Sequence, residues 1–140
     1  MPKIYHSGLL VVGDAASQVK PTTGGGVVFG LVCAKIAAEI ASKAVTEGDL
    51  SEKSLSKYQS KCKEAIGFDL KAMHLLRRKI NRMSDEDVGR VFRIWKKFDV
   101  AEALERVGDL DYQGKSMLRF VGSPKALLGL TYSFLSTPLP

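Results

Sequence analysis

Asp14 and the run Gly24-Gly25-Gly26 are the residues here whose type and spacing suit chemistry. An aspartate directly after an apolar run can accept hydrogen bonds from sugar-like hydroxyls, because a carboxylate takes O–H donors strongly. Glycines let backbone approach a ligand closely. These three lead into a helix starting at about Val27, and a helix N-terminus offers unpaired N–H donors and the positive end of its dipole. Such an arrangement suits a cofactor oxygen or an anionic edge. Each part also has a plainer reading. Gly13-Asp14 can simply form a turn, and a glycine run can simply form a loop. No Gly-Lys-Ser/Thr follows at phosphate-loop spacing, and no GxGxxG occurs.

The elements that position these residues are legible as patterns. Leu9–Val12 is a four-residue apolar run that reads as a strand buried on both faces. No second convincing strand is found, although such a strand needs neighbours. Val27 to Val45 reads as a core helix, apolar almost all round apart from Lys35, Glu39, Ser42 and Lys43, with Gly48 as its stop. Asp49 or Ser51 caps a second helix running to about Arg82, in which Gly67 marks a kink or close approach. Ser84-Asp85-Glu86-Asp87 starts a third, with Val88, Val91, Phe92 and Trp95 on one face. Asp99 begins a short helix stopped at Gly108. A turn at 108–111, a helix over 115–121 and a last apolar helix from Pro124 complete the chain. The expected fold is mostly α, one strand and then five to six helices. Residues 1–48 form one part and 49–140 a helical region.

The 140 residues suffice for one domain with a modest core. A net charge of +6 admits an anionic partner or a merely basic surface. Cys33 and Cys62 make no metal motif, and Cys33 reads as a small core residue, consistent with a cytoplasmic setting. No apolar run reaches the ~18–20 residues that span a bilayer, and no secretory signal is evident.

The combination Gly13-Asp-Ala-Ala-Ser-Gln-Val-Lys-Pro-Thr-Thr-Gly-Gly-Gly-Val-Val-Phe-Gly-Leu-Val-Cys-Ala resembles the second flavin-contacting motif of the geranylgeranyl reductase family. These are FAD-dependent oxidoreductases of the para-hydroxybenzoate hydroxylase fold type, and the archaeal phospholipid-acting reductases look most similar. Ile66-Gly-Phe-Asp-Leu, Leu75-Leu-Arg-Arg, Gly108-Asp-Leu-Asp and Pro124-Lys-Ala-Leu-Leu extend the resemblance along essentially the whole chain. It implies that Asp14 holds the flavin ribityl chain, and that Gly26 and Val27 place amides near the pyrimidine edge, with Pro21, Gly24 and Gly25 close by. It implies a reductase that saturates isoprenoid double bonds of membrane lipids, with NAD(P)H or ferredoxin as electron source. No residue stands out as the proton donor. Family members are much longer and carry a GxGxxG unit for the FAD pyrophosphate. The chain is therefore expected to be a C-terminal portion, either acting with an N-terminal partner chain or non-catalytic by itself, and to hold FAD weakly when isolated.

Other residues carry plainer readings. His6 and His74 read as structural or surface histidines. Lys71, Arg78, Arg82, Arg90, Arg93 and Lys97 form solvated faces, with an acidic-lipid contact as second reading and nucleic-acid binding as third. The last helix reads as core, with peripheral membrane contact as its alternative.

Overall fold

A computed structural model describes residues 2–100, 102, 105, 112 and 124–135. The elements in order are β1 (Tyr5–His6), β2 (Leu9–Leu10), a 3-10 turn (Gly13–Ala16), α1 (Val27–Glu47), α2 (Glu52–Ile80), α3 (Asp85–Lys97) and α4 (Pro124–Leu135). The chain divides into two compact units, Met1–Leu70 and Lys71–Pro140, and the boundary falls within α2.

In the first unit β1 and β2 pair antiparallel, Tyr5 opposite Leu10 and His6 opposite Leu9. Gly8 turns the chain between them at a φ of 68°, which glycine adopts without strain. The expectation of a single strand buried on both faces is corrected twice. Leu9–Val12 has a partner in Tyr5–His6, a pair too short to show a period of two. It is also open to solvent, with Leu9 55% exposed. Two strands of two residues have no independent stability. They are held by α2 and its lead-in: Ile4 N–H donates to Gln59 Oε1 at 3.4 Å, and Gly8 N–H to Leu50 O at 3.0 Å.

Helix α1 starts at Val27 and ends at Gly48, which has a φ of 69° and whose N–H donates to the closing carbonyls of Ala44 and Val45. Its inward face is Phe29, Cys33, Ala37, Ile40 and Ala44. The expectation that it is buried all round does not hold within these residues, because Val27, Leu31 and Val45 are exposed. The spacing predicts an α2 face of Leu55, Tyr58, Cys62, Ile66, Met73, Leu76 and Ile80; the helix buries the first five, leaves Leu76 half-buried and exposes Ile80, with Lys79 buried in its place. It runs unbroken through Gly67, where a β-carbon would meet only Lys63 Cβ at 3.7 Å. Ser51 Oγ accepts from Ser54 N–H at its start, and Asp49 Oδ1 accepts from Ser51 N–H. Cys33 and Cys62 meet in this core, both fully buried. Their mutual hydrogen bond, reinforced by burial, holds the Cys33 thiol well above the usual range. The same hydrogen bond pulls the Cys62 thiol below its ordinary value against the opposing effect of burial, and both side chains pack in the core.

In the second unit Ser84 closes a reciprocal cap on α3. Its Oγ accepts from Asp87 N–H at 3.2 Å, and its own N–H donates to Asp87 Oδ2 at 3.2 Å. Ser84→Ala should lower stability by about 1 kcal/mol. Amide exchange at Asp87 and Val88 should quicken with it, while exchange in α1 stays unchanged. Helix α4 packs against α3. Among the described side chains, Gly129 meets those of Phe98 and Val100, and Ser133 is buried. The core reading of this helix is corrected at Leu128, Tyr132 and Leu135, which are exposed. The expected short helix after Asp99, the 108–111 turn and the 115–121 helix lie largely outside the described residues.

Candidate cofactor site

The candidate site is built from the 3-10 turn, the loop after it and the first turn of α1. The turn is closed by Ser17 N–H donating to Asp14 O at 2.9 Å and Gln18 N–H to Gly13 O at 3.2 Å. The turn presents the Asp14 side chain, which is exposed. The loop folds back on itself: Gly24 N–H donates to Lys20 O at 2.9 Å, and Lys20 N–H donates to Gly25 O at 3.0 Å. Gly24 sits at a φ of 75°, and a β-carbon there would meet nothing within 4 Å. The glycine is needed for the backbone angle, and the space above it is open.

Gly26 is where the two ends of the motif meet. A β-carbon on Gly26 would collide with Asp14 Oδ1 and would lie 3.5 Å from Gln18 O. Gly26 is also the N-cap of α1, with no side-chain cap and no acidic residue in the first turn. The amides that open a helix have no partner inside it. Asp14 and the α1 N-terminus thus stand side by side, an acceptor next to a patch of donors. Val27, the first helical residue, is exposed beside them. Gly25 lies over the Lys20 side chain, with the built β-carbon 2.9 Å from Cε. Pro21 is half-buried at the start of the loop. Gly30 brings α1 close to the turn, its built β-carbon 3.6 Å from Gly13 Cα.

Two residues that pattern reading passes over hold this site. Gln18 is fully buried. Its Oε1 accepts from Gly13 N–H at 2.7 Å, and its Nε2 donates to the Tyr58 hydroxyl at 2.9 Å. Tyr58 Oη in turn donates to Val11 O at 2.9 Å. A single buried chain of hydrogen bonds thus ties the end of the hairpin and the Asp14 turn to α2. Tyr58 appears in sequence only as one apolar position on α2, and Gln18 carries no periodic signal at all. The polarity of a glutamine between Ala16 and Val19, in a stretch meant to be packed, is the trace that could have found it.

Burial pushes the Tyr58 hydroxyl up to about 12, against a smaller downward pull from Gln18. The folded value is raised above the unfolded one. Its contribution is therefore fully present below pH ~10 and lost as pH climbs through ~12, amounting to about 2–3 kcal/mol. The unfolding midpoint in urea should fall more steeply over that window in the native chain than in Tyr58→Phe. Equal slopes would contradict the buried network.

His6 Nε2 contacts Glu52 Oε1 at 2.9 Å beside the Lys3–Glu52 pair, in keeping with the surface reading. His74 is exposed on α2. No group of three or more His, Cys, Asp and Glu side chains suited to a metal occurs among the described residues.

The chain is 46% identical over 87 residues to the digeranylgeranylglycerophospholipid reductase of Methanocaldococcus jannaschii, covering 61% of the chain and 22% of that protein. It is 34% identical over 136 residues to reductase 1 of that name from Methanothermobacter thermautotrophicus, covering 93% of the chain and 31% of the relative. The chain is similar to a C-terminal portion of the digeranylgeranylglycerophospholipid reductases. Reductase 2 from Methanopyrus kandleri agrees, at 38% identity over 104 residues, 74% of the chain and 24% of the relative. The chain spans less than a third of the length of these reductases and corresponds to a C-terminal portion. No protein-family model matches the chain. No solved structure matches it.

Proposed function

We propose that this chain is the C-terminal, cofactor-cradling portion of a flavin-dependent reductase that saturates isoprenoid double bonds of membrane lipids. The observation that carries this reading is the juxtaposition of the exposed Asp14 carboxylate with the uncapped N-terminus of α1 at Gly26. An FAD fits these residues. Asp14 is free to accept from ribityl hydroxyls, the space above Gly24 is open, and the first amides of α1 supply donors to an anionic edge. When bound, the flavin supplies the hydride that adds to an alkene carbon.

The chain's own residues bind and orient in this reading. Asp14 fixes the polyol through charge-assisted hydrogen bonds, which are stronger than neutral ones. The α1 N-terminus stabilises negative charge developing near it, because the positive end of its dipole is already in place and needs no reorganisation. Gln18 and Tyr58 are positioning residues, holding Gly13 and hence Asp14 at fixed distance from Gly26.

The same reading includes a partner. Leu9 and Val12 on the hairpin and Val27, Leu31 and Val45 on α1 are exposed apolar residues. They suit cover by the sheet-bearing polypeptide that makes up the rest of the longer relatives. The test is a reduction assay with the preceding portion of the M. jannaschii relative supplied as a second polypeptide. With a geranylgeranyl lipid and a chemical reductant, the product should gain two hydrogens per double bond. No product from the reconstituted pair, when the intact relative gives it under the same conditions, would refute the catalytic reading.

A further inference from the structure

Among the described side chains of α4, the inward ones are small. A β-carbon on Gly129 would lie 2.7 Å from Phe98 Cβ and 2.9 Å from Val100 Cγ2. Ser133 beside it turns its hydroxyl back onto Gly129 O at 2.7 Å. Leu128, Tyr132 and Leu135, spaced i, i+4 and i+7, look outward and are 62%, 59% and 75% exposed. Close packing of Gly129 against Phe98 and Val100 fixes this orientation, since a half-turn rotation would drive a leucine or tyrosine into that contact. Water against three large side chains in a row is costly, at about 25 cal/mol per Å² of apolar surface.

Charge is distributed to match. Residues 71–140 hold thirteen lysines and arginines against eight acidic residues, which is +5 of the chain's net +6. Residues 1–70 hold eight against seven. On α3, the helix that α4 packs against, Arg93, Lys96 and Lys97 are exposed around an outward-facing Phe92. An apolar stripe with an aromatic hydroxyl, set in a strongly basic unit, is the pattern of a helix that lies in a lipid headgroup boundary. At 12 residues α4 is about 18 Å long, short of the ~30 Å hydrocarbon core. No helix among the described residues is long and apolar enough to cross a membrane. The helix would therefore lie on a bilayer rather than span it.

We infer that the second unit docks on an anionic bilayer surface through α4, with Leu128, Tyr132 and Leu135 entering the acyl boundary and the basic side chains of α3 meeting phosphate headgroups. This rests on exposure and charge and stands apart from the flavin reading.

The test is flotation of the full chain with vesicles of phosphatidylcholine, with and without phosphatidylglycerol, flotation being chosen so that aggregates do not count as binding. The chain should float with the anionic vesicles and at least about five-fold less with the neutral ones. Leu128→Glu with Leu135→Glu should abolish flotation while circular dichroism stays that of the native chain, because both side chains are exposed. Arg93→Gln and Lys96→Gln should each weaken anionic binding by about five-fold. Equal flotation with both vesicles, or full binding by the double glutamate variant, would overturn the inference. So would an absence of flotation together with self-association that the double variant loses, which would put a second copy on α4. An RNA probe bound equally by the native chain and the double variant, without flotation, would assign the charge to nucleic acid and overturn it as well.

Discussion

Gln18→Met is expected to lower the unfolding free energy by about 2–5 kcal/mol, a large effect for a single side chain outside any helix. The substitution keeps an unbranched side chain of similar length, so little volume is lost. It removes both hydrogen-bonding atoms. Gly13 N–H, now facing a thioether, loses its 2.7 Å acceptor, and the Tyr58 hydroxyl loses its 2.9 Å donor. An unsatisfied buried group costs about 1–3 kcal/mol, and two are involved. The hydroxyl keeps its bond to Val11 O, which bounds the loss from above. Urea denaturation of the variant against the native chain measures it. Tyr58→Phe should cost a similar amount, because it leaves the Gly13 bond intact but strips Gln18 Nε2 of its acceptor and Val11 O of its donor, and the double variant should fall short of the sum, since the two share one network. A loss in Gln18→Met below about 0.5 kcal/mol, the ordinary range for surface changes, would contradict the role assigned to this residue.

The second large effect falls on the cofactor rather than on stability. Asp14→Ala should weaken flavin binding by about 10- to 150-fold in the chain reconstituted with the rest of a relative, the range for losing hydrogen bonds to a charged group. The fold should not suffer, because the Asp14 side chain is exposed and the turn is closed by backbone bonds through Asp14 O and Gly13 O. Gly26→Ala separates position from charge. It leaves Asp14 in the sequence but puts a methyl where the carboxylate oxygen now sits. It should weaken flavin binding as well, with the loss coming from displacement of an acceptor that is still present. A Gly26→Ala variant with native affinity would show that the spacing between Asp14 and the α1 N-terminus does not matter.

Much of the frame was legible in the chain because local chemistry decides it. Gly48 ends α1 in the left-handed conformation that glycine tolerates. Ser84 with Asp87 starts α3 through a reciprocal cap. Leu55, Tyr58, Cys62, Ile66 and Met73 bury most of the α2 face that the spacing defines, which fails only toward its end, where Ile80 is exposed. The glycine-led start of α1 close after Asp14 was likewise readable, because both ends of the motif are local.

What was not legible depends on contacts remote in sequence. The Gln18–Tyr58–Val11 chain joins residues 40 and 47 positions apart, and neither partner advertises the other. The pairing of Tyr5–His6 with Leu9–Leu10 is too short for alternation to show. Apolar composition also misled at three places. Leu9–Val12, the Val27–Leu31–Val45 side of α1 and the Leu128–Leu135 side of α4 all read as buried and are open here. Composition records that a surface is meant to be covered but not by what. In α4 the deciding residue was Gly129, whose fit against Phe98 and Val100 no hydrophobic pattern encodes.

The central claim is that Asp14 and the glycine-led start of α1 form one half of a flavin site that another polypeptide completes. The most direct measurement is the visible absorption spectrum of the purified chain, alone and after reconstitution with the preceding portion of the M. jannaschii relative. The expected result is no stoichiometric flavin on the chain alone, a flavin spectrum on the reconstituted pair, and loss of that spectrum when the pair carries Asp14→Ala. A tight stoichiometric flavin complex of the isolated chain, or a reconstituted Asp14→Ala pair that keeps its flavin, would contradict the account.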